Sequence, residues 1–102
     1  AVEIAAAARA GELTAILAAN DQMALGLMAG LARRGVRVPE DLAVVGFDDN
    51  PDAEFYAPAL TTVRVDVLGD ARRCVAAVLG GVSLPSAPAQ LIVRSSSAAS
   101  TA

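Results

Sequence analysis

The fold is decided by one stretch, AANDQMALG at residues 18–26. An apolar run that begins at Ala15 stops at Asn20 and Asp21, and an apolar pattern of helical period starts there. The run is predicted to be a buried strand that delivers Asn20 to the carboxyl edge of a sheet, directly ahead of a helix capped by Asn20 or Asp21. Because ligands bind at that edge in open α/β sheets, Asn20 is a candidate binding residue.

The composition indicates a globular chain and restricts what it can do. Its 102 residues suffice for one domain or part of one, and 55% of them are hydrophobic. The net charge is −3 and there is no basic stripe, which argues against a nucleic-acid surface on this segment. No apolar run reaches the ~18 residues that a membrane span needs. The single cysteine, Cys74, cannot form an internal disulfide and fits a reducing cytoplasm.

The chain opens inside an Ala-rich helical pattern without an initiator Met or a signal-like segment, so we expect a fragment of a longer protein. The predicted elements are a helix over 2–10, a strand over 14–19, a helix over 22–34, a strand over 42–47, a helical turn over 52–57, a strand over 60–65, a helix over 67–79 and a strand over 91–93. The small polar tail from Ser95 to Ala102 is predicted to fray.

The helix over 22–34 carries two apolar stripes. The stripe predicted to cover the sheet consists of Met23, Ala24, Leu27, Met28 and Leu31. The second stripe, Leu25, Ala29 and Ala32, indicates either another interface or an Ala-rich exposed surface. Gly26 and Gly30 weaken the helix by up to ~1 kcal/mol each unless close packing requires them.

A second buried strand places another polar residue beside Asn20. Residues 42–47 are a continuous apolar run, typical of a parallel sheet, and Asp48 follows them. If this strand neighbours the first one across a right-handed crossover, the carboxyl ends of the two strands lie side by side. Asn20 and Asp48 are then expected on the same rim of the sheet.

The residue types on this rim suit binding better than catalysis. The chain has no His, no phosphate-binding glycine loop and no spaced metal-ligand cluster, and adjacent Asp48 and Asp49 are expected to point apart. We therefore expect no enzyme activity, cofactor or metal. A carboxylate and an amide on one rim can clamp the hydroxyls of a polyol. The alternative is that Asn20 only caps a helix and Asp48 only forms a turn, and the pattern leaves both open.

Four motifs resemble the C-terminal part of LacI/GalR-type transcriptional repressors, in the order and spacing of that family. They are ANDQMALG at 19–26, GVRVPEDLAVVGFDD at 35–49, PALTTVR at 58–64 and LIVRSS at 91–96. Two departures stand out: Leu13 occupies a position where the family often has Pro, and Val65 one where some members carry a polar effector contact. The resemblance covers nearly the whole chain.

The resemblance implies an α/β fold, a parallel-sheet lobe of a periplasmic-binding-protein-like (type I) effector domain. Residues 1–102 would be mainly its C-terminal lobe, and the helix over about 67–80 would pack on an N-terminal lobe absent here. Carried over from the family, the effector-binding residues are Asn20 and Asp48. The dimer-interface residues are Leu25 and Tyr56.

The implied function is effector binding and dimerisation in a cytoplasmic LacI-type regulator that senses a sugar or similar small polar molecule. Operator DNA would be bound through an N-terminal domain absent from this chain, and no membrane is involved. The alternative is a periplasmic or secreted sugar-binding protein of an uptake system.

Overall fold

The computed structural model describes residues 1–81 and 83–98 of the chain. The helices are α1 (Val2–Arg9), α2 (Asp21–Arg33) and α3 (Val67–Gly80), and a 3₁₀ turn covers Ala53–Phe55. The strands are β1 (Ala15–Leu17), β2 (Ala43–Val45), β3 (Thr62–Arg64) and β4 (Gln90–Ile92). Each predicted element is present, although the first three strands are shorter than the apolar runs that predicted them, and the fourth is displaced by one residue.

The strands form a continuous hydrogen-bonded surface in chain order. β1 and β2 pair in parallel with Ile16 opposite Val44, and β3 pairs with β4 in the antiparallel sense. A parallel bridge from Val45 to Thr61 links the two pairs, and the Gly46 N–H donates to the Thr61 carbonyl at 2.9 Å. The carboxyl ends of β1, β2 and β3 therefore meet at one edge, which we call the rim.

The core lies between α2 and the sheet, with α1 closing one side. Its fully or nearly buried apolar residues are Ala5, Ala8, Ala18, Ala24, Met28, Leu31, Val36, Leu42, Val44, Ala53 and Leu60. The prediction for Met23 is wrong, since its side chain is 57% exposed. Residues advance by about 100° each around a helix, so Met23 lies well off the buried arc centred on Ala24 and Met28.

The two helical glycines in α2 differ in their surroundings. A Cβ added at Gly30 would lie 2.7 Å from the Cβ of Ala1, so the approach of the α1 amino terminus requires glycine there. A Cβ added at Gly26 would meet nothing within 4 Å. Only Gly30 therefore has a packing reason for its low helix propensity.

The prediction of a frayed tail is wrong where the structure describes it. Ser96 is fully buried, and its hydroxyl accepts from the Thr61 N–H at 2.8 Å and donates to the Val44 carbonyl at 2.5 Å. Ser97 shares a hydrogen bond with the Thr61 hydroxyl at 2.6 Å. Small hydroxyl residues here close backbone hydrogen bonds at the sheet instead of remaining in solvent. Residues 99–102 lie outside the described residues.

The helix α3 stands apart from this core. Asp66 caps it by accepting from the Gly69 N–H at 3.0 Å, and Gly81 ends it in the left-handed conformation with φ of 63°. No residue of α3 is buried, and Val78 and Leu79 are 83% and 81% exposed. None of the helices in the described ranges has the length and apolar character to cross a lipid bilayer.

Candidate functional site

Asn20 occupies the first position on the rim and caps α2. Its backbone is extended, with φ of −155° and ψ of 171°, and its side-chain oxygen accepts from the Met23 N–H at 2.8 Å. The capping role is therefore real. The side-chain NH₂ of Asn20 has no partner in the described part of the chain, so capping leaves two donors for a ligand.

Asp48 occupies the second position on the rim, in the turn that follows β2. Its side chain is exposed, and its backbone N–H donates to the Val63 carbonyl at 3.0 Å. Asp21 follows Asn20, and Phe47 precedes Asp48. The Asp21 N–H donates to the Phe47 carbonyl at 3.1 Å, so this hydrogen bond joins the two chain segments that carry the predicted residues. The structure thus brings Asn20 and Asp48 to the same rim, as the strand order requires.

The adjacent carboxylates of Asp48 and Asp49 lie in different surroundings. The side chain of Asp49 is only 9% exposed and accepts from Arg64 Nε at 2.6 Å and from Arg94 Nη2 at 3.0 Å. Burial alone would raise the pKa of the Asp49 carboxyl, but hydrogen bonds from Arg64 and Arg94 outweigh burial and lower that pKa. Asp49 is therefore engaged in two ion pairs, whereas Asp48 is exposed.

Asp48 and Asp49 both adopt backbone conformations that non-glycine residues rarely enter. Their φ angles are 124° and 55°. Such positive-φ residues destabilise the chain by about 1–3 kcal/mol each, and they persist only where the surrounding contacts fix them. The turn after β2 is therefore held in place by specific contacts.

Sequence reasoning missed the main contact of this turn, which is Asp21. The side chain of Asp21 is fully buried, its Oδ1 accepts from the Thr62 hydroxyl at 2.6 Å, and its Oδ2 accepts from the Asn50 N–H at 2.7 Å. A signal was present in the sequence: Asp21 lies three and seven residues before Ala24 and Met28, on the buried arc of α2.

Val65 and Asp66 directly follow β3, the third strand of the rim. Val65 is half-buried, and the Asp66 side chain is engaged as the cap of α3. A cavity of about 310 Å³ lies beside them against the loop at Ala87 and Pro88. Within the described ranges, no group of three His, Cys, Asp or Glu side chains could hold a metal ion.

The predicted interface residues lie on another surface. Leu25 is 41% exposed, and Ala29 and Ala32 are also exposed, so the second stripe of α2 is uncovered in the described chain. Tyr56 is half-buried against the core, and its hydroxyl donates to Asp52 at 3.3 Å. Burial and then the Asp52 carboxylate raise the pKa of the Tyr56 hydroxyl.

The turn after the 3₁₀ segment borders the same stripe. Phe55, the last residue of the 3₁₀ turn, is 78% exposed and is the outward-facing aromatic of this region. A cavity of about 360 Å³ separates α2 from the turn, between Ala32 on one side and Ala57 and Pro58 on the other. The stripe, through Ala32, and residues 55–58, through Ala57 and Pro58, border this cavity from its two sides, and we call them together the α2–turn surface.

Two kinds of comparison relate this geometry to known proteins. The sequence profile of the periplasmic binding protein-like domain family matches residues 1–98. The HTH-type transcriptional repressor PurR of Haemophilus influenzae (strain PittEE) is 45% identical over 62 residues, which are 61% of this chain and 18% of that protein. The lactose operon repressor of Escherichia coli (strain K12) is 53% identical over 53 residues, which are 52% of this chain and 15% of that protein.

Solved structures give the same result. The lac repressor dimer bound to operator and the anti-inducer ONPF superposes with a TM-score of 0.73 and 35% identity, covering 96% of this chain and 32% of that chain. A sugar-binding LacI-family regulator from Escherichia coli, complexed with phosphate, gives a TM-score of 0.69 and 36% identity over 81% of this chain and 32% of that chain.

The chain therefore belongs to the periplasmic binding protein-like domain family. The predicted α/β fold of that type and the predicted resemblance to LacI-type regulators are both confirmed. The chain spans less than a fifth of either curated relative, since the matched segments are 18% and 15% of their lengths.

Proposed function

We propose that this chain is the effector-binding and dimerising lobe of a cytoplasmic LacI-type transcriptional regulator that senses a sugar or similar small polar molecule. The observation that carries the proposal is the placement of Asn20 and Asp48 on either side of the Asp21–Phe47 hydrogen bond at the rim. This placement offers amide donors and an exposed carboxylate to one ligand, and the carboxylate can accept from a hydroxyl.

The uncovered surfaces give the proposed lobe its other contacts. The apolar face of α3 would pack on a second lobe, and a ligand held between the lobes would favour one angle between them. The α2–turn surface would join two chains, so that this angle sets the spacing of DNA-binding domains located outside residues 1–102. The ligand acts only through its different affinities for the two lobe arrangements.

Curated relatives favour this function over the alternative of a secreted sugar-binding protein. The homologues are transcriptional repressors, and the LacI-type motifs extend through the turn after β2 and past the end of β4 to residue 96. The sequence that precedes Ala1 in the gene separates the two functions. A helix-turn-helix segment supports the regulator, whereas a signal peptide refutes it.

The effector role is tested by thermal shift on the full-length protein with D-glucose, D-galactose, D-fructose and D-ribose. At least one of them is expected to raise the Tm, because a ligand that binds only the folded state stabilises it. We call the one with the largest shift the test monosaccharide. Asp48→Ala is expected to abolish its shift, since the exposed carboxylate is the proposed hydroxyl acceptor.

Glu12→Ala is the matched control for Asp48→Ala. Glu12 is exposed and precedes β1, at the opposite edge of the sheet, so this variant should keep the full shift. An undiminished shift in Asp48→Ala would remove Asp48 from the site. Failure of all four sugars to shift the wild-type protein would refute the sugar class.

The dimer role is tested by light scattering on the full-length protein. Leu25→Asp is expected to move the particle toward half the wild-type mass, because a buried unpaired carboxylate strongly disfavours an apolar interface. Met23→Asp is the matched control, since Met23 is 57% exposed on a different side of the same helix. A dimer that persists in Leu25→Asp would refute the interface assignment.

A further inference from the structure

We propose that Asp21 is a positioning residue for the effector site, which holds the turn at residues 48–50 so that Asp48 stays on the rim. The proposal rests on the effector-binding role proposed above for Asn20 and Asp48. It concerns a fully buried side chain that acts through the turn and does not itself contact the ligand.

The two residues after Asp48 are Asp49 and Asn50, and their backbone N–H groups are both held through the carboxyl group of Asp21. Asp21 Oδ2 accepts directly from the Asn50 N–H at 2.7 Å. Asp21 Oδ1 accepts from the Thr62 hydroxyl at 2.6 Å, and the oxygen of that hydroxyl accepts from the Asp49 N–H at 3.2 Å. The Thr62 hydroxyl therefore links Asp21 to the residue directly after Asp48.

The turn requires this hold because its conformation is intrinsically unfavourable. Asp48 and Asp49 have positive φ angles of 124° and 55°, and neither is glycine. The turn would relax toward ordinary negative-φ conformations if its amides lost their acceptors. The Asp48 side chain would then change its orientation and its position on the rim.

The same residue also connects the turn to Asn20. Asp21 directly follows Asn20, and its own N–H donates to the Phe47 carbonyl at 3.1 Å. A Cβ on Gly46 would collide with the Asp21 carboxyl group, so glycine at that position leaves room for the contact. Asp21 thus connects both proposed effector contacts, through its carboxyl group to the turn and through its backbone N–H to the strand end beside Asn20.

Two adjacent threonines supply a matched pair of variants for the full-length protein. Thr62→Val removes the hydroxyl that joins Asp21 to the Asp49 N–H, while Thr62→Ser keeps it. Thr61→Val is the control, because the Thr61 hydroxyl is also buried but accepts from the backbone N–H of Arg94 at 2.8 Å and makes no hydrogen bond to residues 48–50. Each valine variant removes one buried hydroxyl, so a general loss of stability affects both.

Hydrogen exchange measured by mass spectrometry reports on the turn without any ligand. Thr62→Val is expected to raise the exchange rate at residues 48–51 by about tenfold and to leave residues 93–97 unchanged, because only the Asp49 N–H loses its acceptor. Thr61→Val is expected to do the reverse. Unchanged exchange at residues 48–51 in Thr62→Val would overturn the proposal.

Binding of the test monosaccharide by calorimetry completes the experiment. Thr62→Val is expected to weaken the Kd by about tenfold, and Thr62→Ser and Thr61→Val by less than about threefold. Altered exchange in the turn with an unchanged Kd would overturn the positioning role. If no sugar binds the wild-type protein, the proposed sugar sensing fails separately, and the exchange result still decides whether Asp21 and Thr62 hold the turn.

Discussion

The helices α2 and α3 are built alike but lie in different surroundings. They have 13 and 14 residues, and each begins at a side-chain cap, Asn20 for α2 and Asp66 for α3. Four residues of α2 are buried, Asp21, Ala24, Met28 and Leu31, whereas none of α3 is buried. The amphipathic pattern is present in both helices, but only α2 is covered within the described chain.

This difference shows what an apolar stripe can and cannot predict. A stripe indicates that a helix has a neighbour, and it does not identify that neighbour. The neighbour of α2 is the sheet made by the strands on either side of it in the chain. The exposed Val78 and Leu79 of α3 agree with the proposal that a second lobe covers this helix.

The largest expected effect compares a leucine from each helix in the 102-residue chain. Leu31 is fully buried and Leu79 is 81% exposed. Leu31→Ala is expected to lower the free energy of unfolding by about 2–5 kcal/mol through lost burial and a cavity, and Leu79→Ala by less than about 0.5 kcal/mol. Urea denaturation measures both values, and similar losses would contradict the difference between the helices.

Leu79→Ala in the full-length protein sharpens the comparison between α2 and α3. If a second lobe covers α3, Leu79→Ala should lower stability more in the full-length protein than in the 102-residue chain. Leu31→Ala serves as the control, since its surroundings lie within this chain and its effect should be similar at both lengths. An equally small effect of Leu79→Ala at both lengths would refute the covered helix.

Smaller effects are expected from alanine substitutions at Gly46, which lies against Asp21 of α2, and at Gly26, which lies within α2. A Cβ on Gly46 would lie 2.9 Å from Leu60 Cδ2 and would also collide with the Asp21 carboxyl group. Gly46→Ala is expected to lower the free energy of unfolding by about 1–3 kcal/mol through overpacking. Gly26→Ala should raise it by up to ~1 kcal/mol, because the site is open and alanine favours the helix. Thermal denaturation that shows the same sign for both variants would contradict this packing.

The smallest expected effect concerns the contribution of Asp49 to the stability of the fold at acid pH. Despite burial, hydrogen bonds from Arg64 and Arg94 hold the pKa of Asp49 below its ordinary value of 3.8. Because the pKa is lowered in the folded state, Asp49 stabilises the fold above this value, and the contribution is lost as the pH falls through the folded pKa. Asp49→Asn should therefore flatten the acid side of the stability profile.

A double-mutant cycle with Arg94→Met tests the cause of that pH dependence. The Arg94 guanidinium also donates to the Leu60 carbonyl at 2.9 Å, and the cycle removes this separate contribution. In the wild-type background, Arg94→Met should flatten the acid side of the profile of stability against pH. In the Asp49→Asn background, it should have little further effect on the slope of that profile. Equal changes of slope in both backgrounds would contradict the pairing of Arg94 with Asp49.

The sequence predicted the elements well because each has a local cause. Gly81 ends α3 where the helical pattern stops, and Asn20 caps α2 where the apolar run stops. The rim also followed from chain order, because neighbouring parallel strands end at the same edge. Asn20 and Asp48 could thus be brought together from the sequence, while their effector role stays a proposal.

Of the two misassigned residues, one has a local cause and the other depends on contacts between distant parts of the chain. Met23 has helical spacing from Leu27, but it lies off the buried arc of α2 and is exposed. Ser96 belongs to a polar tail by composition, yet it is buried because it bonds with Thr61 and Val44, 35 and 52 residues away. No local pattern contains information about such partners.

The sequence by itself determined the α/β order, the caps and the rim that carries Asn20 and Asp48, since hydrophobic periodicity and turn chemistry act over short distances. Only the tertiary structure showed that Asp21 is the buried contact of the turn after β2. The physical reason is that a carboxyl group is stable in a core only when donors reach it, and its donors lie on Asn50 and Thr62, 29 and 41 residues away.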